Sequence, residues 1–159
     1  MASSQRRGMV SVIGLLIIIA GAVLVLAGVV TYGLVSSKLA DQKITVSADA
    51  SHFGGQQVTQ PWQAFAQASA IADHADAIAG GKTYAELPQN DPNRQTVMTA
   101  SFLQASLFTS VVAFGVAIMA AGMGILFLLI GAALRHLDRA APVELGAPTT
   151  VTGAMGPDV

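Results

Sequence analysis

The chain has 159 residues, of which 53% are hydrophobic and only 11% charged, with a formal net charge of −1. Soluble domains carry about 25% charge, and a balanced, sparse charge lacks the basic stripe of a nucleic-acid binder. The chain contains no cysteine, which excludes disulfides, thiolate zinc sites, iron–sulfur clusters and cysteine nucleophiles.

In chain order, residues 1–8 read as a short irregular cytoplasmic tail carrying Arg6 and Arg7. A charge-free stretch then runs from Gly8 to Ser37, apolar almost throughout from Val10 to Val35. A bilayer core about 30 Å thick needs roughly 20 apolar helical residues, so residues 9–36 are expected to form a first transmembrane helix. The run is about twice a signal-peptide apolar region of roughly 7–15 residues, and its best small-residue cleavage site, Val35-Ser36-Ser37, is weak. An uncleaved anchor is the expectation.

Residues 37–94 form the connecting segment. Lys43-Ile44-Thr45-Val46 has strand character and Gly54-Gly55 signals a turn, so a short hairpin over 43–58 is conceivable. Pro61 suits the first turn of a helix that Gly80-Gly81 would end, giving a helix over about 61–79. Its bulky residues do not form one stripe: Trp62 and Phe65 fall on one side, Ile71 and Ile78 nearly opposite. It is either gripped on two sides or laid on the membrane through Trp62. Thr83 and Glu86 have capping-box spacing, predicting a helical turn at 84–87 before Pro88.

Asp91-Pro92 is a strong helix start, and nothing stops that helix before Leu134. A long helix over 92–135 is therefore predicted, with a second transmembrane segment at about 107–134. At 1.5 Å per residue it spans roughly 64 Å, so its first turns would protrude and pack on the 61–79 helix. Residues 136–159, rich in Pro, Gly, Ala and Thr, read as a disordered cytoplasmic tail. The fold class expected is an all-α membrane protein: a two-span transmembrane hairpin under a small, mainly helical extracytoplasmic cap.

Arg6, Arg7, Arg135 and Arg139 flank the spans in short tails, which places both termini in the cytoplasm of a plasma-membrane protein. Tyr32 and Phe102 fall near the outer span ends, either as interfacial rings or as ordinary apolar residues.

Small residues recur every seventh position, at Gly14, Gly21 and Gly28 and again at Ser110, Ala117, Gly124 and Gly131. Such spacing lines one seam of a helix and lets backbones approach closely in lipid. The two seams face each other, or one faces a second copy or another membrane protein. The spans carry no ionisable group, which argues against a pump or proton relay.

Of the three histidines, His52, His74 and His136, only His74 lies in a candidate cluster, with Asp73 and Asp76. Asp73 and Asp76 share a helix face while His74 projects away, so a solvated surface is favoured over a metal site. His136, beside Arg135 at the inner edge, suits a headgroup contact. Lys82, Thr83, Tyr84 and Glu86 form a polar patch that reads as a capped turn or a binding surface. There is no nucleophile, phosphate-loop or dinucleotide motif, and no cofactor is implied.

Gly81-Lys82-Thr83-Tyr84-Ala85-Glu86-Leu87, then Asp91-Pro92, then the run from Ala100 to Gly115 resemble a family of small two-span membrane proteins of actinobacteria. Its members are often labelled "aromatic ring-opening dioxygenase LigA". The resemblance covers about residues 9–135, implies the two-span architecture and carries no site residues across. A non-haem iron dioxygenase commonly uses two histidines and a carboxylate. With His136 on the other side of the membrane, only His52 and His74 remain, in a segment too short to enclose an aromatic pocket of about 300 Å³. The expectation is therefore a non-enzymatic accessory or assembly subunit of a larger envelope or respiratory membrane complex, with lipid and other membrane proteins, or itself, as partners. An extracytoplasmic metal- or ligand-binding sensor is the alternative, and ring cleavage is third.

Overall fold

The computed structural model describes residues 2–140, with side chains described for residues 8–137. It is all-helical: α1 (Ala2–Asp41), α2 (Pro61–Ala79) and α3 (Arg94–Ala140). Among the described residues there is no strand. The 43–58 stretch folds back on itself through one antiparallel bridge, Thr45 with Gln57, flanked by the bonds Val46 N–H to Gln56 O and Val58 N–H to Ile44 O, both 2.8 Å.

Several boundaries differ from expectation. The first residues are helical from Ala2, not irregular, and α1 runs on past residue 36 to Asp41. Ser3, Ser4 and Gln5 present no helix breaker, so the apolar helix simply propagates outward. Likewise α3 continues through residues 136–140, which were expected in a disordered tail; the rest of that tail, 141–159, lies outside the described residues. At its start, α3 begins at Arg94 rather than 92, because the Asp91 carboxylate accepts the Asn93 N–H at 2.8 Å and holds 91–93 in a turn.

Two helices are long and apolar enough to cross a membrane, over Gly8–Asp41 and Arg94–Leu137. In each, only 17% of the most apolar window is buried. Leu26, Val29, Val112 and Leu129 are all more than half exposed. A core helix of a soluble protein would hide such residues; exposed apolar faces this extensive call for a lipid or protein partner.

The remaining, inward face explains how α1 and α3 pack. A Cβ built on Gly21 would lie 2.7 Å from the Gly124 carbonyl oxygen, and one on Gly28 2.5 Å from that of Ala117. From the other side, a Cβ on Gly124 would meet the Gly21 oxygen at 2.6 Å, and one on Gly131 the Gly14 oxygen at 2.7 Å. The two small-residue stripes therefore meet each other within the chain, in antiparallel register, with the backbones nearly touching. Ser110 continues the stripe but is half-buried beside Val35 instead of a glycine.

The core sits where the end of α1, the 43–58 stretch, α2 and α3 converge. Phe114, Val46 and Val58 are its fully buried large residues, joined by Leu39, Leu107, Ala64 and Ala68. Tyr32 is half-buried against this core. It packs on Phe114, ring centroids 4.7 Å apart, and its hydroxyl donates to the Gln60 side chain at the start of α2. A smaller cluster of Ala79, Leu87 and Val97 pins the far end of α2 to the start of α3.

The closeness of the seam sets a prediction. Gly21→Val must push backbone against backbone and should destabilise the α1–α3 pair by about 1–3 kcal/mol. Gly122→Ala, where a Cβ meets nothing within 4 Å, should be neutral or stabilising. Thermal unfolding of both variants in the same detergent, with oligomeric state monitored, checks this ordering.

Candidate functional site

Helix α2 presents its small residues inward and its aromatic rings outward. Ala64, Gln67, Ala68 and Ala70 are buried, whereas Trp62 and Phe65 are about half exposed, at 51% and 54%. Ala at i, i+4 positions lets α2 lie close along α3, antiparallel to it: Phe65 stacks edge-on against Phe108 at 5.8 Å, and Ala79 packs near Val97. The helix thus packs on α3 along one side, with Trp62 and the outer half of the Phe65 ring left exposed.

Two glutamines hold α2 to the chain before it. The Gln63 side-chain oxygen reaches back to accept the N–H groups of Thr59 and Gln60, at 2.9 and 3.1 Å. Gln67, buried, accepts from the Ser47 N–H at 2.7 Å. At the other end Gly80 adopts the left-handed conformation that stops helices, with the Gly81 N–H closing on the Asp76 carbonyl at 3.0 Å.

These ties bring the 49–53 turn beside α2 and leave a groove of about 810 Å³ between them, floored by Val111 of α3. The expectation that this segment has no room for a pocket of about 300 Å³ is overturned. The reason is that the segment does not enclose the space alone; α3 supplies a wall. The groove is graded. Trp62 and Phe65 line it near Val111, while Asp73 and His74 line it eleven and twelve residues further along α2, roughly 16 Å away at 1.5 Å per residue. Gly21 and Gly124 set the α1–α3 register, in which Lys38, the first charge after the apolar run, lies level with Leu107. The aromatic end is therefore level with the end of the apolar runs, and the carboxylate end stands beyond it.

The predicted trio is split. Asp73 and His74 line the groove, together with His52, but Asp76 does not. The partner of His74 is Asp49, whose Oδ2 lies 2.6 Å from His74 Nε2. That hydrogen bond, aided by one to the backbone N–H of Asp49 itself, holds the Asp49 carboxyl below its usual range. Among the described residues no three histidine or carboxylate side chains converge to hold a metal. Asp49 lies 25 residues from His74, and no spacing rule could have linked them; Gln60 and Gln63, by contrast, carry the capping-box spacing in their sequence.

The polar patch folds as a capped turn: the Glu86 carboxylate accepts from both the N–H and the hydroxyl of Thr83 at 2.8 Å, which lowers its pKa. Arg94 lies over the Tyr84 ring, 4.1 Å from its centroid, and donates to the Tyr84 and Leu87 carbonyls. Its donors are turned inward to the turn, joining it to the start of α3.

The fold thus defines an all-helical protein with two helices of membrane-spanning length and a graded groove beside the end of their apolar runs. The chain matches no family model, no curated protein and no solved structure.

The Asp49–His74 contact makes a measurable claim. Because the His74 hydrogen bond holds the folded-state pKa of Asp49 below the ordinary aspartate value of 3.8, the contact persists as pH falls to that value and is lost only on further acidification through the folded pKa. Carboxyl-detected NMR titration should place Asp49 below 3.8 in the native chain. In His74→Ala it should move back up towards that value.

Proposed function

We propose that this is a non-enzymatic integral membrane protein, a two-span hairpin carrying a small extracytoplasmic helical cap, and that it serves as an accessory or assembly subunit of a larger membrane complex. The observation that supports this most is the closed glycine seam. With Gly21 against Gly124 and Gly28 against Ala117, the hairpin is complete within one chain. Its outward faces, such as Val112 at 64% and Leu26 at 65% exposure, are then free for lipid or a neighbouring subunit. Partners are met through those faces and the cap, not through the seam. The short arginine-bearing tails favour cytoplasmic termini. The resemblance to the ring-opening-dioxygenase-labelled family fits the two-span layout. Its labelled chemistry would need a metal-binding constellation that the groove residues do not form.

A ligand-binding sensor is the second reading, favoured by the groove between the 49–53 turn and α2. In it the groove takes a molecule other than a metal ion.

The absence of native cysteine makes topology simple to test. A single cysteine at Ser51 should react with a membrane-impermeant maleimide from outside intact cells, and one at Ser4 only after permeabilisation. Photo-crosslinking in cells from Val112 and Phe102 should capture the same heterologous membrane protein from both, and a residue at Gly21 should not. A chain that crosslinks to nothing from either outward position and purifies as a lone monomer is no subunit.

A further inference from the structure

The groove has two ends of different chemistry at different heights, and this restricts its occupant. Near Val111 its walls are the exposed rings of Trp62 and Phe65, continuous with the apolar outward face of α3. At the far end are Asp73 and His74, with Asp49 bonded to His74, and Ser69 lies between. No lysine or arginine lines it. A head of net negative charge would meet carboxylates with no lysine or arginine to offset them, which disfavours anionic phospholipids. Carboxylate oxygens and an imidazole instead accept from hydroxyl groups, and exposed aromatic rings pack against flat, CH-bearing faces. The roughly 16 Å between the two ends suits a head that projects well out of the bilayer, and the volume lies within the about 300–1,000 Å³ of small-ligand sites. Phe53, on the rim, is held at φ 62°, a left-handed conformation that costs a bulky residue energy.

We propose that this groove binds a neutral glycolipid of the surrounding membrane, its sugar held by Asp49, Asp73 and His74 and its tails leaving past Trp62, Phe65 and Val111 into the bilayer. The site deepens the ligand-binding reading and rests on the two-span placement with the 37–94 segment outside the bilayer. No bond is made or broken; the hydroxyls donate to carboxylate oxygens and the ring edges exclude water.

Trp62 is the sole tryptophan of the chain and lines the groove, so its fluorescence reports occupancy directly. The full chain would be reconstituted in phosphatidylcholine nanodiscs with increasing monogalactosyl diacylglycerol. A saturable change in Trp62 emission is expected, absent with the same fraction of diacylglycerol or of phosphatidylglycerol. Asp73→Asn, an exposed substitution that leaves the core untouched, should weaken the response about tenfold, and Asp76→Asn, outside the groove, should leave it unchanged. No response to the galactolipid from a chain of native helicity overturns the proposal, as does an equal response to diacylglycerol or phosphatidylglycerol, or an Asp73→Asn variant that binds normally. Labelling of a Ser51→Cys thiol separates this failure from that of the membrane placement. A thiol reached from outside with a silent Trp62 sinks the glycolipid alone, and a thiol reached only from inside sinks the placement.

Discussion

Everything in this molecule depends on how close α1 and α3 come at their glycines. Apolar side chains in lipid gain little from one another that the lipid tails would not give. What holds such helices together is backbone proximity, and a Cβ at Gly21, Gly28, Gly124 or Gly131 would overlap the opposite helix. Placing Gly14, Gly21, Gly28, Gly124 and Gly131 where the two helices touch fixes one antiparallel register. It also leaves the outward faces uniformly apolar, which is what makes the pair fit for a bilayer and unfit for water.

That register determines the rest of the fold. With α1 and α3 locked, the end of α1 brings Tyr32 and Leu39 against Phe114 and Leu107, and this platform receives the 43–58 stretch and α2. Alanines do here what glycines do in the seam. Ala64 and Ala68 have no measurable exposure, so α2 lies flat enough to share a core with Val46 and Val58. Three polar ties here are half-buried: Tyr32 to Gln60, Gln67 to Ser47, Gln63 to the start of its own helix. A segment without a disulfide or a β-sheet keeps its shape because each such tie satisfies a group that would otherwise be stranded.

The groove is a consequence of the same economy. Since α2 uses its small residues for packing, its rings are left over, and they point to the side where the 49–53 turn stands away from the helix. The antiparallel run of α2 along α3 puts those rings level with the end of the apolar faces and puts Asp73 and His74 beyond it. Amphipathic geometry of this kind arises from helix direction alone, and it is the feature that makes the groove beside α2 a candidate site for an amphipathic molecule.

The sequence by itself determined the elements whose causes are local. Two long charge-free runs read as helices of membrane-spanning length from their length and composition alone. Pro61 and Gly80 bracket α2 at Pro61–Ala79, since one lacks a donor and the other tolerates the left-handed turn. The seven-residue spacing marked the seam positions but left open what they faced. The tertiary structure alone decided that Gly21 meets Gly124, that Tyr32 packs on Phe114, and that Ala64 is buried while Trp62 is exposed. It alone paired His74 with Asp49 and opened an 810 Å³ groove. These follow from which face of each helix meets which neighbour, and periodicity within one element carries no information about the partner that covers it.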